Sequence, residues 1–241
     1  MIVHLYGNPC AMGALQALCT ENDLFLVEDA AEAFGSWYDG KSVGGFGDFS
    51  TFSFFANKTI TTGEGGMVTS KNIELVERAA YLKSQSVSSS REYWHDEVGF
   101  NFRMTNICAA IGLAQLERAA QILEKKRAIN YWYVKYLDGT DLQFQREEVL
   151  ATSSYWMVTV LAPSELLRDG LREHLKTHGV ETRPMFFPAH RMPAFYSKAS
   201  FPVAEQLSGK GMNLPSYPDL SEAEVEAICK LIRAFIDSAD T

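Results

Sequence analysis

The chain has 241 residues, of which 46% are hydrophobic and 22% charged, as expected for a globular protein with a buried core and not for a disordered chain. Its 22 basic and 30 acidic side chains give a net charge of −8, which argues against a nucleic-acid partner. The short basic run Glu124-Lys125-Lys126-Arg127 is predicted to be a solvated helix face.

Short apolar strands alternate with helical or loop segments in the first part of the chain. We predict a helix over residues 12–22 and strands over 2–6, 24–27, 49–55 and 66–69. Asp39-Gly40 predicts a tight hairpin turn. This alternation indicates an α/β sheet, in which ligands collect just beyond the strand ends. The residues after Val27 and after Phe55 are therefore candidates for a site.

A long helical pattern covers residues 104–137, with one break, and ends at Asp138-Gly139. Beyond it we predict strands over 155–161 and 180–185, a helix over 166–177, and a closing helix over 222–236. Ser221 and Glu224 have the spacing of a capping box at the start of that last helix. The change of pattern places a domain boundary near residue 138, with domains 1–138 and 139–241.

Lys58 directly follows an apolar strand and precedes a glycine-rich loop. Desolvation at such a boundary lowers the pKa of a lysine and supplies the neutral amine that imine formation needs. Taken alone, Lys58 is more simply an ordinary surface lysine. The loop is no Walker A motif, because Gly-Lys-Ser/Thr is absent, and residues 45–50 lack the third glycine of a dinucleotide fingerprint.

Asp29 lies at the end of the second predicted strand, within the run Glu28-Asp29-Ala30-Ala31-Glu32. A carboxylate there can pair with a protonated pyridine nitrogen and keep a pyridoxal ring an electron sink. The alternative is a helix N-cap that follows the strand. The residues alone leave both interpretations open.

Residues 28–35, 53–66 and 99–106 resemble the signature blocks of the DegT/DnrJ/EryC1/StrS sugar aminotransferase family, and 3–7, 154–156 and 183–190 extend this resemblance over nearly the whole chain. It implies a three-layer α/β fold of the aspartate aminotransferase type (fold type I), with a smaller C-terminal α/β domain. It also implies pyridoxal 5′-phosphate (PLP) as cofactor and a homodimer with shared active sites.

The resemblance implies a role for each matching residue. Lys58 would be the Schiff-base lysine and would also move protons between cofactor and substrate. Asp29 would pair with the pyridine nitrogen, Glu32 would lie beside the cofactor's 3′ oxygen, and Ser53 would contact its phosphate. Asn101 would reach the phosphate bound in the neighbouring subunit.

Arg183 and His190 fall in a block that lines the nucleotide-sugar site of the family, where a structural role is an equal alternative. Residues 29–32, 58–61 and 93–96 are similar to the perosamine-forming branch. That branch transfers the amino group of glutamate to C4 of GDP-4-keto-6-deoxymannose, a nucleotide-linked 4-keto-6-deoxy sugar. A dehydratase branch replaces the lysine by histidine, so Lys58 favours transamination.

Family members carry a long segment before the strand at residues 2–6, where this chain begins. In the family that segment supplies a phosphate-binding helix N-terminus and sheet neighbours. We therefore expect a fold that is incomplete at the N-terminus, weak cofactor binding by the isolated chain, and association through an open sheet edge. Two alternatives follow: a catalytically impaired homologue that acts as a binding or structural partner, or a sugar-nucleotide-binding module without cofactor.

The four cysteines form no C-x-x-C pair, and His174 and His178 have no further ligands in the pattern, so no metal site is predicted. We see neither a signal peptide nor an apolar run that could cross a bilayer. The expectation is a cytoplasmic protein without a membrane partner.

Overall fold

The computed structural model describes residues 1–239, which form two compact units. The first unit comprises Met1–Leu123 and Glu147–Trp156, and the second comprises Glu124–Arg146 and the chain from Met157 onward. This division falls inside a helix, whereas the sequence places a domain boundary at the end of that helix, near residue 138. The boundary near residue 138 stays a prediction.

Residues 1–239 contain eleven strands and seven α-helices. The strands are β1 (Ile2–Val3), β2 (Val27–Asp29), β3 (Trp37–Tyr38), β4 (Lys41–Ser42), β5 (Phe49–Ser53), β6 (Gly66–Thr69), β7 (Gln143–Phe144), β8 (Ala151–Thr152), β9 (Val158–Leu161), β10 (Arg183–Pro184) and β11 (Gly211–Leu214). The helices are α1 (Met12–Glu21), α2 (Ile73–Lys83), α3 (Asn106–Glu117), α4 (Ala119–Tyr136), α5 (Glu165–Thr177), α6 (Pro202–Lys210) and α7 (Glu222–Ala239).

The first unit contains a four-stranded sheet of order β1-β2-β5-β6. Strands β1, β2 and β5 are parallel, and β6 is antiparallel to β5. The predicted hairpin at Asp39-Gly40 is confirmed: β3 pairs with β4, and both turn residues have positive φ, 48° and 68°. Phe52 and Phe54 pack in one apolar cluster, whereas Phe55 is exposed.

Three of the predicted strands in this unit are wrong in extent; the one predicted over 49–55 ends at Ser53. The strand predicted over residues 2–6 ends at Val3 and is followed by a 3-10 turn, Leu5–Gly7, in which Tyr6 has a φ of 55°. The strand predicted over 24–27 instead covers Val27–Asp29, and the apolar Leu24 and Phe25 are exposed. The strand register is set by pairing of β2 with β5, which a local apolar run does not report.

The second unit is built on an antiparallel sheet of order β10-β11-β9-β7. A continuous apolar core covers it, with fully buried side chains from the helices that include Tyr133, Leu171, Leu175 and Ile232. The predicted strand over 155–161 begins only at Val158, because Tyr155 has a φ of 48° and cannot extend β9.

Predicted helix signals hold better than strand limits. The break in the long helical pattern lies at Arg118, between α3 and α4. The capping box is confirmed: Ser221 Oγ accepts the N–H of Glu224, and the Glu224 carboxylate accepts the N–H of Ser221. Within residues 1–239, no helix is both long and apolar enough to cross a membrane.

One prediction about helix α4 is wrong. Lys126, assigned to a solvated face, is only 5% exposed, and its Nζ donates to the carbonyl of Ser216 at 2.6 Å. Burial lowers the pKa of Lys126 to about 8. The charge pattern could not reveal this burial, since the Ser216 carbonyl, which accepts the hydrogen bond from Lys126, is distant in sequence.

Candidate functional site

Glu28 anchors the loop that runs over the end of β2. Its side chain is fully buried, and its Oε1 accepts the N–H groups of Phe46 and Gly47 at 2.7 and 2.5 Å. Oε2 accepts the N–H of Gly44 at 2.8 Å and faces His4 Nε2 at 3.1 Å. One buried carboxylate thereby fixes the backbone of residues 44–47 beside the sheet.

The hydrogen bonds of His4 determine where its proton lies. The N–H of Cys10 donates to Nδ1 at 3.1 Å, so the proton is on Nε2 and is donated to Glu28. Burial alone would raise the pKa of Glu28, but the hydrogen bonds from His4 and from the backbone outweigh it and lower that pKa to about 2. Glu28 is therefore a charged structural anchor.

Asp29 is the last residue of β2, at the carboxyl end of a parallel strand. Its Oδ1 accepts the N–H of Ala31 at 3.0 Å. Successive turns follow: the N–H of Ala33 donates to Ala30 and that of Ser36 to Ala33, and no helix begins among these residues. The helix N-cap interpretation of Asp29 is wrong, because there is no helix for it to cap.

Lys58 and Glu32 face each other where the sheet ends. Lys58 Nζ lies 3.9 Å from Glu32 Oε1, and the two side chains are 14% and 11% exposed. Glu32 is oriented through its other oxygen, which accepts the N–H of Tyr6 at 2.7 Å. Burial lowers the pKa of Lys58, although the charges of Glu32 and Asp29 oppose that shift. Burial also raises the pKa of Glu32.

These opposite shifts make proton exchange between Lys58 and Glu32 easier than between the same groups in water. Lys58 thus has the environment of a reactive amine, and Glu32 Oε1, 3.9 Å away, can receive its proton through one bridging water. Asp29 acts on both groups through its charge. The structure brings together Lys58, Glu32 and Asp29 of the residues selected from sequence.

Two aromatic residues of this site were missed as functional candidates. Lys58 Nζ lies 4.0 Å from the ring centroid of Trp156, and Trp156 stacks on Tyr6 with centroids 6.1 Å apart. Both rings are almost fully buried. Each lies in a short block that carried the family resemblance, but nothing in the sequence indicates that blocks so far apart meet at the lysine.

The residues present fit a ligand with polar and ionic groups such as PLP. A partly exposed amine stands beside two carboxylates, and the neighbouring Thr59 hydroxyl is buried with no hydrogen-bond partner among the described residues. A buried hydroxyl without a partner is uncommon, and a bound polar group would satisfy it.

The remaining candidates lie outside this cluster. Ser53, the last residue of β5, accepts the N–H of Phe55 at 3.3 Å. Asn101 is exposed and pairs through its backbone with Ser84.

In the second unit, Arg183 is largely exposed, with Nε 3.6 Å from a Glu181 oxygen. His190 is buried, with Nε2 2.7 Å from Glu205 Oε1. Glu205 also accepts from Arg191 at 2.8 Å and from the N–H of Phe201 at 3.2 Å. His190 thus belongs to a hydrogen-bonded cluster that holds its own loop. Within residues 1–239, no three His, Cys, Asp or Glu side chains group as metal ligands.

Known proteins resemble this chain over almost its whole length. It is 50% identical to GDP-perosamine synthase from Escherichia coli O157:H7 and 45% identical to GDP-perosamine synthase from Vibrio cholerae. Each alignment covers 98% of this chain, but the chain spans only 65% and 66% of those relatives.

The crystal structure of the aminotransferase TlmJ from Streptoalloteichus hindustanus superposes with a TM-score of 0.93 at 31% identity, over 99% of this chain and 66% of that one. This likeness confirms the predicted α/β fold of type I transferases. The model of the DegT/DnrJ/EryC1/StrS aminotransferase family matches residues 1–233. The chain belongs to the DegT/DnrJ/EryC1/StrS aminotransferase family.

Proposed function

We propose that this protein is a PLP-dependent sugar aminotransferase. Its amino donor would be glutamate, and its acceptor the C4 carbonyl of a nucleotide-linked 4-keto-6-deoxy sugar, GDP-4-keto-6-deoxymannose. The observation that carries the proposed activity is the largely buried Lys58 amine, 3.9 Å from Glu32, at the carboxyl end of the parallel strands. The proposed sugar rests on relatives named GDP-perosamine synthase, 41–50% identical to this chain.

In this proposal the cofactor supplies an electron-withdrawing ring that stabilises negative charge at the substrate carbon. Lys58 would hold the cofactor through its amine, and Asp29 would pair with its ring nitrogen. Glu32 would lie beside the 3′ oxygen, Ser53 would contact the phosphate, and Asn101 would serve the phosphate site of a neighbouring subunit. A homodimer with shared active sites and a cytoplasmic location complete the proposal.

The proton of Lys58 has a defined destination. Lysine must be neutral to act as a nucleophile, and burial already lowers its pKa. Glu32 Oε1 lies 3.9 Å from Nζ, so the proton passes through one bridging water, and the raised pKa of Glu32 makes it a better proton acceptor than an exposed carboxylate. The N–H of Tyr6 holds Glu32 in place while the proton moves.

Arg183 and His190 are proposed to contact the nucleotide sugar, with unequal support. Arg183 is exposed enough to bind a phosphate. His190 already makes a hydrogen bond to Glu205, which supports the alternative of a structural role. The other alternative, a catalytically impaired homologue that serves only as a binding partner, is not favoured, because Lys58, Glu32 and Asp29 retain a reactive arrangement.

Borohydride trapping tests the proposed activity. Purified protein mixed with PLP should absorb in the visible, and borohydride should bleach that band and fix the cofactor to the Lys58 peptide. Lys58→Ala should abolish the adduct, whereas Lys71→Ala, at an exposed lysine, should retain it. An adduct that maps to another lysine would refute the assignment of Lys58.

The substrate is tested separately with glutamate as donor. Amination of GDP-4-keto-6-deoxymannose should exceed amination of simple 2-oxo acids. If only 2-oxo acids are aminated, the sugar specificity is wrong while the cofactor assignment stands.

A further inference from the structure

We propose that Trp156 is the positioning residue of this site: its indole N–H holds the turn before Lys58, and its ring receives the Lys58 ammonium group. This inference rests on the proposed function, because it assumes that Lys58 is the reactive amine. It assigns a role to Trp156, which lies far from Lys58 in sequence.

The side chain of Trp156 is held by contacts other than the one with Lys58. Its side chain is 4% exposed, and its ring stacks on Tyr6 at an interplanar angle of 17°. The indole Nε1–H donates to the carbonyl of Asn57 at 2.7 Å. Since Asn57 directly precedes Lys58, this hydrogen bond sets the backbone from which the lysine side chain starts.

Hydrogen bonds among Ser36, Ser153, Ser154 and the carbonyl of Gly7 fix the backbone that carries Trp156. The hydroxyls of Ser36 and Ser153 donate to the carbonyl of Gly7 at 2.6 and 2.9 Å, and the N–H of Ser154 donates to the Ser36 hydroxyl at 3.0 Å. Gly7 has a φ of 92°, and a Cβ there would lie 2.9 Å from the nitrogen of Trp156. The close approach therefore requires glycine, and it brings Tyr6 and Trp156 together.

The ring also acts on the charge of Lys58. Nζ lies 4.0 Å from the ring centroid, where the electron-rich face of an indole attracts a cation. The charged groups that act on Lys58 are Glu32 and Asp29, and they favour the ammonium in the same way. Burial opposes all three and is the largest effect on the pKa of Lys58. Burial alone disfavours the ammonium form of Lys58 in this site. The ring of Trp156 offsets part of that effect and holds the amine in place.

Two substitutions distinguish the contribution of the Trp156 ring face from that of its indole N–H. Trp156→Leu keeps an apolar side chain but removes both, whereas Trp156→Phe keeps an aromatic face and removes only the N–H. Trp94→Leu is the matched control, because Trp94 also lies 4.0 Å from a cation, the guanidinium of Arg91, and is largely exposed.

The main measurement is the apparent pKa of Lys58 in cofactor-free protein, from competitive acetylation across a pH series with peptide mass spectrometry. Trp156→Leu should lower that pKa by about 0.5–1 unit, because the ammonium loses the ring while burial remains. Trp156→Phe should lower it by less than half as much, and Trp94→Leu should leave it unchanged. An unchanged or raised pKa in folded Trp156→Leu protein would overturn the proposal.

Trp156→Phe provides a second test if Trp156→Leu does not fold. Loss of the hydrogen bond to Asn57 should speed amide hydrogen exchange in the peptide that contains Lys58 by about 2–10-fold, with no change in the peptide that contains Trp94. Unchanged exchange would show that Trp156 only fills space. If borohydride fixes no cofactor at Lys58 but its pKa still responds to Trp156→Leu, the proposed function fails and the positioning role stands.

Discussion

In the first unit the segments around Lys58 are held by buried polar groups, whereas the second unit is organised around a large apolar core. His4, Glu28 and Ser36 are fully buried in the first unit, and each holds a turn or loop through hydrogen bonds. In the second unit the fully buried side chains include Leu171 and Ile232, which pack in a single cluster.

The difference matters because hydrogen bonds are directional and apolar packing is not. Turns such as Tyr6–Gly7 and residues 31–36, which follow β2, have no regular ladder to set their geometry. A buried carboxylate or hydroxyl can fix such backbone to within the tolerance that a reactive group needs. We therefore expect the first unit to be sensitive to changes of hydrogen-bonding type at constant shape, and the second to changes of volume.

The largest effect is expected at Asp29. In the proposed enzyme, Asp29→Asn keeps an oxygen for the N–H of Ala31 but loses the charge that faces the cofactor's ring nitrogen. Turnover should fall by about 100-fold or more, with the fold intact. Steady-state kinetics and the glutamate half-reaction measure the loss.

Asp48→Asn is the matched control, because Asp48 also accepts a backbone N–H, that of Leu26, at 2.7 Å. It should leave turnover within a few-fold of the wild type. Near-normal kinetics of Asp29→Asn with glutamate would show that the charge of Asp29 has no part in the chemistry.

Glu28→Gln is the sharpest test of the polar anchor. The side chain keeps its shape, but its NH2 group replaces one carboxylate oxygen and points hydrogens either at the N–H of Gly44 or at those of Phe46 and Gly47. The free energy of unfolding of the first unit should fall by about 3–5 kcal/mol. Urea unfolding, with hydrogen exchange of the 44–47 peptide as the local probe, measures this.

Glu21→Gln, at an exposed position on α1, is the control and should change stability by less than about 0.5 kcal/mol. A loss below about 1 kcal/mol for Glu28→Gln would mean that the loop is held mainly by something other than the carboxylate.

Acid should weaken the same anchor without any mutation. The pKa of Glu28 is lowered from 4.5 to about 2, so the folded state favours the carboxylate. The corresponding stability, about 3 kcal/mol, is fully present above pH 4.5 and is lost as the pH falls towards 2. Unfolding measured over this range should show the loss in wild type, and Glu28→Gln should lack that part of it. Parallel pH curves for the two proteins would refute this account.

The comparison also explains what the sequence could predict. Lys58 and Asp29 were selected because their residue types at strand ends point to their chemistry, and Glu32 because of the family resemblance; their roles stay predictions. Helices α5 and α7 were predicted, and their apolar periodicity matches the face that the core buries. The limits of the predicted helices lie close to the observed ones, whereas α2 and α6 were not predicted.

What failed depends on partners distant in sequence. The apolar Leu24 and Phe25 suggested a strand, but pairing with β5 places β2 after them. Lys126 is buried against a carbonyl that no local pattern indicates, and the contact of Trp156 with Lys58 joins segments that are distant in sequence. Long-range polar contacts are thus the part of this structure that local sequence patterns do not report.

The smallest expected effect tests the other side of the comparison. Ile232→Val removes one methylene group from the core of the second unit, where Ile232 is fully buried. The free energy of unfolding of that unit should fall by about 0.5–1.5 kcal/mol, since the loss combines transfer free energy with a small cavity. Urea unfolding with hydrogen exchange of α7 as local probe measures it, and Ile73→Val, at an exposed position on α2, should show almost no change.

If Ile232→Val destabilised its unit as much as Glu28→Gln destabilises the other, the two units would not differ in how they tolerate substitutions of nearly constant shape. A loss near 1 kcal/mol, beside a several-fold larger one at Glu28, would instead show that the polar anchors of the first unit are the more sensitive contacts.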